Sequence, residues 1–278
     1  MSERVSLVTG GTSGVGLATA LGLAKAGLTV VLVTRSEDRG RRSCDHLAAA
    51  TGNTKCEYIV ADLSSMDSVR SMVRQFTDRH ESLHVLSNNA ALLTFAKTPT
   101  TAGLDPIIAI NYLSHFLLTN LLLDLLKKSA PSRIVTVSGQ PGVAERASYP
   151  EKGLLDLPAG NPFSATVRAM FAKVLFTREL ARRIAGSGVT ANTFHPGLVR
   201  SNLGGNLPLL LRIPYRLANL LLSPHCPTAV YLALDPEVSG ANGEFFVNSK
   251  AVSFNAPEHE KELASRLWDE SVRLSGLA

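Results

Sequence analysis

Short apolar runs alternate with longer amphipathic segments along most of the chain. The apolar runs are predicted strands at Val5–Thr9, Thr29–Thr34, Cys56–Ala61, Leu83–Ser87, Arg133–Ser138, Val189–Phe194 and Glu244–Val247. The segments between them are predicted helices at Val15–Ala26, Glu37–Thr51, Ser65–His80, Leu104–Lys128 and Ser164–Ala185. Strands this rich in Val, Leu and Ile are typical of sheets buried on both faces. The alternation therefore predicts an α/β fold over residues 1–278: a single domain with a doubly wound parallel sheet in a three-layer α/β/α arrangement.

Composition indicates a globular protein that needs no disulfide or metal ion for stability. The chain has 278 residues, of which 45% are hydrophobic and 18% charged, and a chain of this size can bury a sizeable core. Its three cysteines, Cys44, Cys56 and Cys226, are far apart, so we expect reduced thiols and a cytoplasmic location. We expect no secretory signal, because the polar start leads directly into an apolar run. No apolar stretch approaches the roughly 20 residues of a membrane span.

The net charge of +5 raises the question of nucleic-acid binding. Lys and Arg are spread along the chain in single positions and short pairs, and no basic stripe with interleaved aromatic residues is present, so we expect no nucleic-acid partner. A positive field would serve a dinucleotide phosphate or an anionic substrate equally well.

A glycine-rich segment follows the first predicted strand and opens the first predicted helix. It reads Thr9-Gly10-Gly11-Thr12-Ser13-Gly14-Val15-Gly16. Gly10 permits a tight turn, Gly14 allows backbone amides to approach a pyrophosphate, and Gly16 allows close packing of helix and strand. The helix N-terminus supplies oriented N–H groups for an anion. In this strand–loop–helix context the segment predicts a dinucleotide site that includes Thr12, Ser13 and Val15.

The end of the second predicted strand indicates which dinucleotide binds. It reads Val33-Thr34-Arg35, where a site for NAD(H) would carry Asp or Glu to bind the ribose 2′-hydroxyl. Thr34 does not repel a 2′-phosphate, and Arg35 can pair with it through its planar guanidinium. We therefore predict NADP(H) as the cofactor.

Polar residues also follow the next two predicted strands. Asp62 and Leu63 follow the third strand, where a carboxylate can hold the adenine amine. Asn88, Asn89 and Ala90 follow the fourth, and asparagine offers donors and acceptors in turn conformations. Each could be an ordinary turn residue, but their regular placement after successive strands favours a shared ligand.

Together these residues resemble the short-chain dehydrogenase/reductase family, and more narrowly its retinol-dehydrogenase and WW-domain-oxidoreductase branch. Further matching segments are Asn111–Thr119, Ser132–Val137, Val174–Ala181, His195–Gly197 and Ser239–Phe246. The resemblance implies a Rossmann fold, in which Asn111 belongs to a catalytic tetrad. It also implies that Pro196 and Gly197 shape the cofactor loop and that Val199 and Ser201 lie by the nicotinamide. Relatives often pair through helices matching Leu104–Lys128 and Ser164–Ala185, so a homodimer is a possible assembly.

The chain departs from the family at the other three tetrad positions. The family has a Ser after the fifth strand and a Tyr-x-x-x-Lys on the following helix. By the resemblance, the Ser position holds Gly139, the Tyr position Thr166 and the Lys position Met170. A threonine hydroxyl is too weakly acidic to replace an activated phenol, and methionine carries no charge, so ordinary alcohol–ketone chemistry is not expected.

Two residues are candidate substitutes in catalysis, alongside Asn111 and Thr166. Lys173 lies one helical turn beyond Met170. Tyr149 lies in the 139–163 connection, together with Glu145, Arg146, Lys152 and Asp156, and this connection follows a strand and could reach the cleft. The alternative is that it is a solvated surface loop.

Leucines dominate the segment around 203–222, where relatives place a lid over the substrate. An apolar lid predicts an apolar small-molecule substrate; the segment could equally dock peripherally on a membrane, contact a dimer partner or pack on the core. We predict an atypical NADP(H)-binding enzyme of small-molecule, specialised metabolism. It either reduces an activated acceptor or catalyses a redox-neutral cyclisation or isomerisation. The alternatives are an ordinary oxidoreductase with substitute acid–base residues and a non-catalytic regulator that binds the cofactor.

Overall fold

The structure, a computed structural model, describes residues 3–95, 99–100, 102–147, 155, 161–200, 219, 222–255 and 257–277. Its strands are β1 (Val5–Thr9), β2 (Thr29–Thr34), β3 (Cys56–Val60), β4 (Val85–Asn88), β5 (Ser132–Val137), β6 (Val189–His195), β7 (Phe245–Val247) and β8 (Lys250–Val252). They form one sheet in the order β3-β2-β1-β4-β5-β6-β7-β8. The strand order reverses between β1 and β4, and a crevice for ligands opens at the carboxyl ends of strands at such a point.

Helices cover both faces of this sheet. They are α1 (Gly14–Lys25), α2 (Glu37–Thr51), α3 (Met66–Thr77), α4 (Pro106–Ile108), α5 (Ser114–Leu121), α6 (Leu123–Lys128), α7 (Pro141–Ala144), α8 (Pro162–Arg183), α9 (Pro227–Leu234) and α10 (Glu260–Ser275). Two separate apolar clusters, one on each face, account for the near-continuous apolar strands. The predicted α/β fold in three layers is confirmed. In the described part of the chain, no helix is long and apolar enough to cross a membrane.

The last strand adds one antiparallel pairing to the predicted parallel sheet. β8 pairs with β7 in antiparallel register, with Phe245 opposite Val252. The two strands are joined by Asn248 and Ser249, whose φ angles of 49° and 61° are left-handed, as tight hairpin turns require. All other pairings are parallel. β8 was not predicted because it is short and exposed, with no apolar pattern.

The predicted helix Leu104–Lys128 is helical from Pro106 to Lys128, with two interruptions. Asp105 caps the start, because its carboxylate accepts hydrogen bonds from the Ile107 and Ile108 amides at 2.7 and 3.4 Å. A π-helical stretch, Ala109–Leu113, separates α4 from α5, and Leu122 separates α5 from α6. Single π turns within helices often occur at functional sites, and this one contains Asn111.

The C-terminal helix α10 packs on α5 and α8. Its Trp268 ring lies 5.1 Å from Phe116 and 5.8 Å from Phe176, and Ser271 shares a 2.7 Å hydrogen bond with the buried hydroxyl of Tyr112. This covers part of the two helices through which relatives of the family often pair. The homodimer remains a prediction.

The expectation that all cysteines are reduced thiols is also corrected. Cys44 on α2 and Cys56 on β3 form a disulfide, with Cα atoms 5.2 Å apart, whereas Cys226 is free and buried. The disulfide was not predicted because the cysteines are odd in number and widely spaced. The two meet because α2 packs along β3 after a short connection.

Candidate cofactor cleft and active site

A cleft of about 130 Å³ lies at the carboxyl ends of the central strands. Its walls come from the loops that follow β1, β2, β3 and β4, together with residues of α2 and of the π-helical stretch. The lining residues are Gly10, Thr12, Ser13, Val33, Thr34, Arg35, Arg39, Ala61, Leu63, Ala90, Ala91, Leu92 and Ile110. The cleft therefore joins Gly10, Thr12, Ser13, Arg35, Leu63 and Ala90, which were predicted from separate segments of the sequence.

Gly10 and Gly16 shape the floor of this cleft. Gly10 has a φ of 64°, and a Cβ there would lie 3.0 Å from the Ala90 Cα. A Cβ at Gly16 would lie 2.7 Å from the carbonyl carbon of Gly10. Both are backbone contacts that cannot move aside. The loop thus fits tightly against both the β4 end and the start of α1, as a pyrophosphate cradle requires.

The N-terminus of α1 faces this loop without a side-chain cap. Ser13 is its N-cap residue and makes no capping hydrogen bond, whereas Ser36 and Ser65 cap α2 and α3 through their hydroxyls. Free N–H groups and the helix dipole favour an anion at such an end. The residues therefore fit a bound pyrophosphate, with Val15 in the first turn of the helix.

The β2 end supplies the positive charge of the cleft. Arg35 and Arg39 both line it, Arg35 directly after Thr34 and Arg39 in the first turn of α2. Arg39 was not predicted from the sequence, although its position one turn into α2 is a usable signal. Two guanidinium groups beside a threonine suit a 2′-phosphate, and none of the three side chains carries the carboxylate that binds a free ribose 2′-hydroxyl.

Asp62 is placed differently from its neighbours. Its carboxylate accepts hydrogen bonds from the backbone amide and hydroxyl of Ser64 at 2.9 and 2.8 Å. Ala61 and Leu63 line the cleft, but among the described residues Asp62 does not. Its predicted contact with an adenine amine therefore remains a prediction.

The end of β4 is fixed to β1 by Thr9. The Thr9 hydroxyl accepts from the amides of Asn89 and Ala90 at 2.9 and 3.1 Å. The side-chain nitrogen of Asn89, Nδ2, donates to the Ser87 hydroxyl. The buried side-chain oxygen of Asn89, Oδ1, has no hydrogen-bond partner among the described residues. Asn89 and Ala90 are therefore held rigidly at the cleft, with one acceptor left over.

Asn111 holds the loop that follows β4. Its Oδ1 accepts from the Leu92 amide at 2.6 Å, and its Nδ2 donates to the Leu92 carbonyl at 3.0 Å. Asn111 is buried, whereas Leu92 lines the cleft. The side chain that the resemblance assigns to catalysis thus anchors the cleft wall in this structure.

Gly139 and Met170 contact one another at the end of β5. A Cβ at Gly139 would overlap the Met170 sulfur and lie 2.6 Å from its Cε. Next to them, the Ser138 hydroxyl donates to the Met170 carbonyl at 3.2 Å. The thioether therefore occupies the space that a side chain after Ser138 would need.

The hydroxyl of Thr166 is turned back into its own helix. It donates to the Pro162 carbonyl at 2.7 Å. Gly139, Thr166 and Met170 thus provide no ionisable group at the positions that the resemblance assigns to the family's Ser, Tyr and Lys.

Lys173 lies deeper than these residues. It is 4% exposed, and its Nζ donates to the Val137 carbonyl at 3.0 Å. Burial lowers the pKa of Lys173 to about 7. His115 lies nearby, and burial together with the Lys173 charge lowers the pKa of His115 well below its usual value. His115 was not singled out from the sequence, although it stands one turn after Asn111.

Other predicted residues lie around the edge or outside the described residues. Glu145 accepts from the Asn255 amide at 2.7 Å, so it ties the C-terminal segment to α7. After β6, Pro196 and Gly197 form a loop with a φ of 74° at Gly197, and the buried Val199 bridges to Ser223. Tyr149, Ser201 and most of the segment around 203–222 lie outside the described residues, so their predicted roles remain predictions.

Comparisons with known proteins agree with this fold. The short chain dehydrogenase family model matches residues 4–208. Retinol dehydrogenase 14 of Mus musculus is 36% identical over 296 residues, covering all of this chain and 87% of that protein. Polyprenol dehydrogenase of Homo sapiens is 33% identical over 285 residues, covering 99% of this chain and 86% of that protein.

Solved structures give the same result. An uncharacterised protein from Mycobacterium paratuberculosis superposes with a TM-score of 0.72 at 27% identity, covering 99% of this chain and 94% of the other. A short chain dehydrogenase from Shigella flexneri, solved in complex with NADP, gives 0.71 at 22% identity, covering 90% and 98%. This chain belongs to the short-chain dehydrogenase/reductase family, in the branch that contains the retinol dehydrogenases.

Proposed function

We propose that this chain is an NADP(H)-dependent enzyme that reduces an apolar substrate whose acceptor carbon is already activated. The uncapped α1 terminus, the glycine contacts and the two cleft arginines Arg35 and Arg39 support the cofactor. When bound, NADPH supplies a hydride. The protein's own part is to hold the dinucleotide along the cleft and to keep the loop at Leu92 in place through Asn111.

The contact between Gly139 and Met170 is the observation on which this proposal rests. Hydride addition to a neutral ketone builds an alkoxide, which needs a nearby proton donor. Gly139 and Met170 carry no such group, and the Thr166 hydroxyl is bonded to the backbone. An iminium ion becomes a neutral amine on receiving hydride, and a conjugated quinone-like acceptor spreads the new charge, so neither acceptor requires the missing phenol.

The names of the relatives support an apolar substrate. Retinol and polyprenol are alcohols with long hydrocarbon portions, and the two relatives named above are dehydrogenases of these compounds by name. For this chain the apolar substrate class is a proposal. So are its place in specialised metabolism, the cytoplasmic location and any peripheral membrane contact at the segment around 203–222.

The test is to incubate the purified protein with NADPH and two panels of apolar compounds, and to follow absorbance at the nicotinamide band together with products. One panel holds neutral ketones and aldehydes, the other iminium and quinone-like acceptors. We expect NADPH oxidation in step with product for the activated panel alone. Product without NADPH consumption would instead support a redox-neutral cyclisation or isomerisation.

Two further outcomes would also overturn the proposal. Turnover of neutral ketones at rates similar to the activated panel would indicate an ordinary oxidoreductase with substitute acid–base residues. Lys173 and Tyr149 would then be the first candidates to mutate. NADPH binding without any product would favour a regulator.

The cofactor is tested separately by exchanging charge at the cleft. Arg35→Asp should remove the preference for NADPH over NADH, because a carboxylate repels a 2′-phosphate and accepts from a 2′-hydroxyl. Arg41→Asp is the matched control, since Arg41 is exposed, pairs with Asp38 and does not line the cleft. An unchanged preference in Arg35→Asp would refute the assignment.

A further inference from the structure

Two exposed aromatic rings contact each other beside the active site. Phe95 is 41% exposed and Phe163 is 59% exposed, and their ring centroids lie 5.9 Å apart at an angle of 75°. Large apolar side chains exposed together are unusual on a protein surface and often mark a binding site. The edge-to-face arrangement stabilises the pair but leaves ring surface open to solvent.

Phe95 is positioned by the same loop that forms the cleft wall. Asn111 fixes this loop at Leu92 through two hydrogen bonds. Phe95 follows three residues later and crosses to the first turn of α8, where it meets Phe163. The aromatic pair therefore joins two parts of the molecule. One is the loop that Asn111 anchors, and the other is helix α8, which carries the Tyr and Lys positions of the family.

Phe163 also begins an apolar stripe that runs into the site. Phe163, Thr166 and Met170 are spaced at i, i+3 and i+7 and share one face of α8. The Thr166 hydroxyl is bonded to the Pro162 carbonyl, so it is not a free polar group on this face. At the inner end Met170 packs on Gly139. The stripe thus connects the exposed rings with the position where the family places its catalytic serine.

We propose that Phe95 and Phe163 form the entrance wall of the substrate site and select substrates with an extended hydrocarbon chain beyond the reacting carbon. This inference rests on the proposed function, whose substrate class it narrows. A hydrocarbon chain lying across both rings would remove from water the apolar surface that they now expose. A short substrate bound at Gly139 and Met170 would not reach them.

The test is to compare two allylic alcohols with the same head group. Farnesol has a fifteen-carbon chain, and 3-methylbut-2-en-1-ol has only the first five carbons. Their affinities for the NADPH-saturated protein are measured by equilibrium dialysis for the natural chain, Phe163→Ala, Phe95→Ala and the control Val252→Ala. Val252 is an exposed apolar residue on β8. An NADPH titration of each variant checks that it is folded.

We expect each phenylalanine variant to weaken farnesol binding roughly tenfold, as the loss of about half of a ring's burial implies. Binding of the five-carbon alcohol and both affinities of Val252→Ala should not change. Unchanged farnesol binding in both phenylalanine variants would overturn this inference and leave the proposed function intact. Equal weakening of both alcohols would overturn it too. Binding of neither alcohol by the natural chain would overturn this inference, whereas the panel of activated acceptors tests the proposed function separately.

Discussion

Replacing Lys173 with methionine should stabilise the protein, and by an amount that depends on pH. Lys173 is buried, and its pKa falls from the usual 10.5 to about 7. Because each unit of pKa is worth about 1.4 kcal/mol, this shift corresponds to about 5 kcal/mol of lost folding stability. Lys173→Met also loses the hydrogen bond to the Val137 carbonyl, worth about 1 kcal/mol. We expect a net gain of roughly 2–4 kcal/mol at pH 7.

The sign of the pH dependence follows from where the proton is bound. Between pH 7 and 10.5 the unfolded chain holds a proton on Lys173 that the folded chain does not, so the stability of the natural protein rises with pH across this window. Below pH 7 both states are protonated and the penalty is constant. The advantage of Lys173→Met should therefore be largest at and below pH 7 and should shrink as the pH approaches 10.5.

The assay is urea unfolding followed by circular dichroism at intervals from pH 7 to 10. Titration of His115 does not interfere there, because the pKa of His115 is lowered further below its usual 6.5. Lys128→Met, at an exposed lysine of α6, is the control and should follow the natural protein. Stability curves for Lys173→Met and the natural protein that run parallel above pH 7 would refute the reasoning. Loss of turnover in the folded variant would support Lys173 as a substitute acid–base group.

Three further predictions concern packing. Gly139→Ala should lower the free energy of unfolding by about 1 kcal/mol or less, since its Cβ overlaps only the flexible end of the Met170 side chain, which can move aside. Combined with Met170→Ala it should show a coupling of about 0.5 kcal/mol or more in a double-mutant cycle, and strict additivity would contradict the contact. Gly16→Ala should weaken NADPH binding at least tenfold by titration, because the loop must shift, whereas Gly240→Ala, with nothing within 4 Å, should bind normally. Trp268→Ala should cost about 3–5 kcal/mol in urea unfolding and promote self-association, visible by light scattering; a monomer of unchanged stability would contradict the covering role of α10.

Much of the fold could be predicted because burial on both faces leaves a clear pattern. β1 and β2 lie at their predicted residues, Val5–Thr9 and Thr29–Thr34, since both are wholly buried runs. Interruptions were missed where the cause is local: apolar residues recur along the whole of Leu104–Lys128, and only the backbone shows the π turn and the break at Leu122. The Cys44–Cys56 pair depends on how α2 lies against β3, which no spacing rule conveys.

The site was predictable where function depends on backbone and local charge. The roles of Gly10 and Arg35 can each be recognised from one short segment of the sequence, and both residues line the cleft. Lys173 could be placed near the site by helical spacing, but its burial depends on helices packed around it. The contact of Gly139 with Met170 joins residues 31 positions apart, and no pattern in either segment reveals it.

That contact also constrains how the site can change by mutation. A chain acquiring serine at Gly139 while Met170 remains must accommodate a side chain where the thioether already lies. A chain that first shortens Met170 leaves a gap, which the later serine can fill. The two positions are therefore coupled: serine at position 139 requires the flexible Met170 thioether to move aside, and a shorter residue at position 170 removes that requirement. Under the resemblance that assigns these positions, the serine and lysine positions of the family are thus linked by a direct side-chain contact in this chain.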